Sequence, residues 1–242
     1  MSALLAIDAG NTRVKWGVHD GRGWVASGML PTAEVSRLGD AWERAPRAQR
    51  AIASNVAGAD VARHLEKACA RSGIALQVIR SEAAQLGVAN AYAEPSQLGS
   101  DRWAALVAAH HALAGHKLVV NVGTALTIDA LTAEGRFLGG LIVPGPALMR
   151  SALDRGTAGL RLTEGAFHDF PRSTPDAITS GAIQACAGAI ARMRDVMSER
   201  DSAPERIVLS GGAAAELAPH LPIACAVHEN LVLDGLVLIA AR

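Results

Sequence analysis

Apolar residues along this chain fall into short runs, and their period changes from segment to segment. Runs at 3–8, 14–19 and 23–28 have strand length, after which apolar positions recur at helical spacing near 33–44. A fourth strand at 51–55 precedes a helix at 60–71, and a fifth at 74–79 precedes an irregular stretch and a helix at 100–114. The plan then repeats with strands at 117–122, 125–131 and 136–143 and a helix near 146–155. A loop containing Gly156, Gly159 and Pro171 leads into a long helix at about 175–200. A strand at 206–209, a short helix after Gly211-Gly212, a strand near 223–227 and a helix from 229 follow. The order βββαβαβα thus occurs twice. Hairpin-linked strands followed by αβ units predict an α/β fold, with a mixed five-stranded sheet flanked by helices in each half. Duplication is the economical explanation, and the expected halves are 1–115 and 116–242.

The two halves echo each other in chemistry as well. An apolar run enters Asp8-Ala9-Gly10-Asn11-Thr12, and another enters Asn121-Val122-Gly123-Thr124. Each brings an acid or amide, a glycine and a threonine to a tight turn, followed by a second extended segment. Glycine turns expose backbone N–H groups, so two such hairpins facing each other would cradle a polyphosphate. In the first, Gly10 lets backbone approach phosphate, Asn11 and Thr12 add side-chain donors, and Lys15 adds a point charge. Asp8, ending a buried strand, is placed to hold Mg2+ directly or through water. An ordinary hairpin would look similar, and no GxxxxGK[ST] phosphate loop occurs.

Composition narrows the field. Half of the 242 residues are hydrophobic but only 3% are aromatic, so the core is aliphatic. Lys+Arg and Asp+Glu both number 23, leaving no net charge to draw nucleic acid or an anionic membrane. Cys69, Cys186 and Cys225 are isolated and read as small hydrophobes. No apolar stretch approaches the ~20 residues that span a bilayer. A cytoplasmic protein is expected, with no membrane or nucleic-acid partner. The histidines show no metal-ligand spacing, and no GxSxG or Cys/His nucleophile signature is present.

Two further segments carry candidate chemistry. Gly99-Ser100-Asp101-Arg102-Trp103 opens a helix, with Ser100 a candidate N-cap and Asp101 in the first turn. Asp101 either complements the helix dipole or acts as a general base, with Arg102 clamping an anionic substrate group. On this reading the dipole lowers the Asp101 pKa, leaving an ionised, weak base suited to phosphoryl transfer. The run 207–212 ends a strand in Gly211-Gly212, either a plain turn or a close approach for an adenosine or phosphate. Gly139-Gly140 and Pro144-Gly145-Pro146 form similar tight turns.

Together these residues resemble a known family. Asp8-x-Gly10-Asn11-Thr12-x-x-Lys15, Tyr92-x-x-Pro95-x-x-Leu98-Gly99-Ser100-Asp101-Arg102, Asn121-x-Gly123-Thr124-Ala125 and Gly139-Gly140-x-Ile142-x-Pro144-Gly145 occur in order. The set closely resembles bacterial type III pantothenate kinase, also labelled Bvg accessory factor, across essentially the whole chain. The resemblance implies two ribonuclease-H-like domains of the acetate and sugar kinase/Hsp70/actin superfamily, usually paired as a homodimer. It implies ATP-dependent phosphorylation of pantothenate, the first step of coenzyme A synthesis. Carried over, Asp8, Ala9, Gly10, Asn11, Thr12, Arg13, Val14, Lys15 and Thr124 contact ATP. Tyr92, Gly99, Ser100, Asp101, Arg102 and Thr174 bind pantothenate, and Asp101 accepts the proton. One departure stands out: many members have Asp at the position of Asn121, where it binds K+ or NH4+. Asn keeps a carbonyl ligand without the charge, which puts monovalent-cation dependence in doubt. The rivals are another small-molecule kinase of the superfamily and a non-catalytic nucleotide-binding accessory regulator.

Overall fold

The computed structural model describes residues 3–43, 45–156 and 164–241, arranged in two compact units. The first comprises 1–112 together with 230–242, the second 113–229.

In the first unit the strands are β1 (Leu4–Ala9), β2 (Arg13–His19), β3 (Trp24–Pro31), β4 (Arg50–Asn55) and β5 (Ala75–Val78), ordered β3-β2-β1-β4-β5. β1 pairs antiparallel with β2 and parallel with β4, as hairpins followed by crossovers require. The expected helix at 33–44 is instead a 3-10 turn, Thr32–Arg37, running into a single helical turn, α1 (Leu38–Ala41), with position 44 outside the described residues. Val35, Leu38, Gly39 and Trp42 are its buried residues, at helical spacing, but the glycine at its middle is a poor helix former. α2 (Ala59–Arg71) does have such a face: Val61, Leu65, Ala68 and Cys69 fall at i, i+4, i+7 and i+8 and enter the core. The irregular stretch before 100 contains a small hairpin, β6 (Ala84–Gln85) with β7 (Val88–Asn90), turned through Leu86 and Gly87 at positive φ. α3 (Ser100–Ala112) follows.

The second unit contains β8 (Lys117–Val122), β9 (Ala125–Leu131), β10 (Arg136–Pro144), α4 (Pro146–Gly156), α5 (Thr174–Ser198), β11 (Arg206–Ser210), the short α6 (Ala214–Leu217) and β12 (Cys225–Val227). Gly159, expected in the loop before α5, lies outside the described residues. Its strands run β12-β11-β8-β9-β10, the order of the first unit read in the opposite sense. Again the first strand pairs antiparallel with the second and parallel with the fourth. The duplication is therefore visible in topology and strand direction.

The last helix, α7 (Leu231–Ala240), corrects the expected boundary at 116–242. It belongs to the first unit, against α3 and β1. Leu231, Val232, Leu233, Leu236, Ile239 and Ala240 are buried along it. Gly235 makes the fit: a Cβ there would collide with the Ala104 carbonyl oxygen of α3. Trp24 of β3 donates its indole N–H to Asp234 at 2.9 Å, fixing the helix to the sheet.

Candidate active site

The first hairpin owes its shape to three backbone ties. Gly10 N donates to Arg13 O at 3.1 Å, Thr32 N to Thr12 O at 3.0 Å, and Val56 N to Ala9 O at 3.0 Å. The Thr32 hydroxyl adds a 2.7 Å bond to Gly10 O. Ala9 and Val14 point into the core, so what they can offer a ligand is backbone, whereas Asn11, Thr12 and Arg13 are exposed at the turn. Asp8 and Lys15 are cross-strand partners. Asp8 retains some accessible surface, yet burial of its carboxyl raises the pKa from 3.8 to about 7. The Asp101 carboxylate adds to the rise and Lys15 opposes it. A carboxyl raised by burial and by a second carboxylate is short of positive charge. A hard divalent cation would fit that deficit, and Asp8 could hold it.

Asp101 lies in the first turn of α3. Gly99 makes room for it, because a Cβ on Gly99 would sit 2.5 Å from Asp101 Oδ1. That oxygen accepts the Arg102 backbone N–H at 2.8 Å. The expected lowering of its pKa does not occur: burial raises it, and the Arg102 N–H and guanidinium only partly offset the rise. Desolvation of a largely enclosed carboxylate outweighs a helix-end field that acts on exposed groups as well. Asp101 is thus a stronger base than a surface aspartate. Ser100 differs from expectation too, being the first helical residue, with its hydroxyl 2.8 Å from that of Ser54.

Tyr92 and Arg102, which the resemblance assigns to the acceptor site, are in contact. Arg102 Nη1 donates to the Tyr92 hydroxyl at 3.1 Å, with the guanidinium 5.8 Å from the ring centroid. The turn between them is held by the side-chain amide of Asn90, which donates to Pro95 O at 3.2 Å, and by the Ser81 hydroxyl, which donates to Leu98 O at 2.7 Å. Ser54, Ser81 and Thr32 were missed in the sequence. Single hydroxyls at strand ends carry no local signal, and their partners lie 17 to 46 residues away.

In the second unit, the three glycine motifs converge. Gly145 N donates to Thr124 O at 2.8 Å, and a Cβ on Gly145 would collide with Gly123 O. Gly211, at φ +102°, packs against Val122 O, and a Cβ there would come 2.6 Å from Asn121 Oδ1. Thr124 is exposed at this turn. Thr174 is the exposed first residue of α5, beside Ser173, whose hydroxyl caps the helix by accepting the Asp176 N–H at 3.3 Å. The site residues therefore divide: those at 8–15, Tyr92 and 99–102 belong to the first unit, and Asn121, Thr124 and Thr174 to the second. Among the described residues, no group of three or more His, Cys, Asp or Glu side chains is placed to share a metal ion. No helix there is long and apolar enough to cross a membrane.

Comparison with known proteins bears on this arrangement. A Baf family protein from Campylobacter jejuni superposes with a TM-score of 0.63 at 21% identity, covering 98% of this chain and 97% of that one. An inorganic polyphosphate/ATP-glucomannokinase from Arthrobacter sp. strain KM superposes at 0.52 and 18% identity, covering 100% and 99%. The fold is that of the actin-like ATPases and sugar kinases, with its duplicated ribonuclease-H-like domains. The type III pantothenate kinase of Aromatoleum aromaticum is 48% identical over 237 residues, 98% of this chain and 97% of that one. The family model for type III pantothenate kinase matches residues 4–196, the span that carries both hairpins and the 99–102 turn. By sequence over nearly its whole length and by fold, the chain belongs to the type III pantothenate kinase family.

Proposed function

We propose that this chain transfers the γ-phosphoryl group of ATP to the primary hydroxyl of pantothenate, giving 4'-phosphopantothenate for coenzyme A synthesis. The observation that carries the mechanism is the electrostatic neighbourhood of Asp8, Lys15 and Asp101 within one unit. It sets a phosphate-binding turn beside a carboxylate of raised pKa. Asp101 accepts a hydrogen bond from the pantothenate hydroxyl, orients its oxygen for in-line attack, and takes its proton as the new P–O bond forms. Burial makes Asp101 more basic, and the Arg102 N–H and guanidinium oppose part of that rise. The turn at 8–15 donates to the phosphates, and Lys15 offsets their charge. Asp8 would hold Mg2+, which would supply further positive charge against the phosphate oxygens. Tyr92, Gly99 and Ser100 shape the acceptor site, and Arg102 pairs with the pantothenate carboxylate. The working form is a cytoplasmic homodimer with weak dependence on K+ or NH4+, because Asn121 offers an amide oxygen without charge.

The test is incubation of purified protein with ATP, Mg2+ and pantothenate, read by mass for phosphopantothenate, beside a panel of sugars and acetate. Product from pantothenate alone is expected. Turnover of a sugar or acetate in its place, or ATP binding without turnover of any acceptor, overturns the assignment.

A further inference from the structure

The reaction needs two carboxylates held at a fixed separation, one on a strand and one on a helix. Asp8 is the penultimate residue of β1 and Asp101 the second residue of α3. A buried contact joins α3 to β4, the strand beside β1. Ser54 on β4 is the parallel-register partner of Asp8, so the two side chains leave the same face of adjacent strands about 4.8 Å apart. Ser54 is fully buried, and its hydroxyl lies 2.8 Å from that of Ser100, which is 8% exposed and immediately precedes Asp101. On the other side of the same turn, the buried Ser81 hydroxyl donates to Leu98 O.

We propose that Ser54 is a positioning residue for phosphoryl transfer: through Ser100 it fixes the first turn of α3 against β1 and so sets where Asp101 stands relative to Asp8. The proposal rests on the reading of Asp101 as the base. A fully buried hydroxyl must find a partner or cost stability, and an alanine pair would pack the same space without that liability. What the hydroxyl pair adds is direction. Its short, angle-dependent contact constrains both the distance and the orientation of the helix start. Misplacing a catalytic group by about 1 Å costs on the order of 100-fold in rate.

The experiment compares Ser54→Ala, Ser54→Thr, Ser100→Ala and the Ser54→Ala/Ser100→Ala double variant with wild type and Asp101→Asn. Steady-state kinetics for pantothenate and ATP are read beside thermal unfolding. Ser54→Ala is expected to lower kcat about 10- to 100-fold with the ATP KM within about twofold of wild type. Ser54→Thr, which keeps the hydroxyl, should recover most of that loss. The double variant should be no worse than the poorer single one, because all three lose one and the same contact. A Ser54→Ala enzyme with wild-type kcat, or a lowered melting temperature with unchanged kcat, overturns the proposal. So does a double variant whose losses multiply. If Ser54→Ala does not yield folded protein, Ser100→Ala removes the same bond from the helix side and decides by the same outcomes. Turnover retained in Asp101→Asn would instead overturn the underlying assignment of the base, which separates the two failures.

Discussion

The hairpins β1–β2 and β8–β9 occupy the same place in the two units, and their differences divide chemistry from scaffolding. Each first strand carries, one residue before its end, a polar residue whose parallel neighbour is a buried serine, Ser54 beside Asp8 and Ser210 beside Asn121. Across the hairpin, however, Asp8 faces Lys15 where Asn121 faces Thr127. The first turn is tied by Thr32 and left open, with Asn11, Thr12 and Arg13 exposed. The second is pressed upon by the backbones of Gly145 and Gly211. A duplicated frame has kept its hydrogen-bonding plan while charge gathered at one copy and close packing at the other.

The comparison breaks first at the base. Asp101→Asn is expected to lower kcat by about 100- to 10,000-fold in a folded protein, measured as phosphopantothenate formed per unit time. Retention of near wild-type turnover would remove the chemical half of the contrast.

Asp8→Asn separates function from stability. Phosphorylation should fall about 100-fold or more, on the scale of removing a group that stabilises transition-state charge. The folded protein should nevertheless become more stable above neutral pH. The folded pKa of Asp8, about 7, lies above its ordinary 3.8, so the folded state holds its proton longer than the unfolded one. Stability from this group is complete below about pH 4 and is lost as pH rises through about 7. Asparagine has no proton to lose. In EDTA at pH 8 the variant should gain about 2 kcal/mol, a figure discounted for the surface Asp8 retains, and the gain should vanish near pH 4. Urea denaturation at the two pH values measures it, and a variant less stable than wild type at pH 8 would show that Asp8 is not a strained acid.

The glycines give the converse contrast. Gly145→Ala drives a Cβ into the Gly123 carbonyl oxygen, backbone that cannot yield, and should cost about 2–3 kcal/mol. Gly10→Ala meets only the Arg13 carbonyl oxygen at 3.3 Å and should cost less than about 1 kcal/mol. Chemical denaturation of both ranks them, and equal costs would erase the distinction between a packed and an open turn. The smallest change is Asn121→Asp, which restores a charge at the counterpart of Asp8. Stimulation by K+ or NH4+ over Na+ should rise by a few-fold, on the order of 1 kcal/mol of added ion binding. Strong stimulation already present in the unmodified protein would show that the amide suffices.

Much of the site was legible because it is local. The Asp8–Lys15 hairpin, the Gly99-Ser100-Asp101-Arg102 turn and the turns at Gly145 and Gly211 each declare themselves within a few residues, where strand period and turn chemistry act. Gly139-Gly140, expected as a tight turn, instead lies within β10. Tyr92 and Arg102 were singled out by one motif, and their contact with each other emerges only in the structure. The helix expected at 33–44 is shortened to single turns although Val35, Leu38 and Trp42 keep helical spacing, with Gly39, a poor helix former, in its middle. The Ser54–Ser100 bond left no trace, since its partners are 46 residues apart and Ser54 belongs to no recognisable pattern.

By itself the sequence determined the order of elements, the duplication, the turns that present Asp8 and Asp101, and the family. All of these follow from short-range periodicity, backbone freedom at glycine and contiguous motifs. Only the tertiary structure decided that α7 belongs with the first unit, that burial outweighs the helix dipole at Asp101, and that Asp8 holds its proton to about pH 7. The reason is common to all three. Desolvation and close packing depend on what the rest of the chain brings to a residue, and that is settled only when distant segments meet.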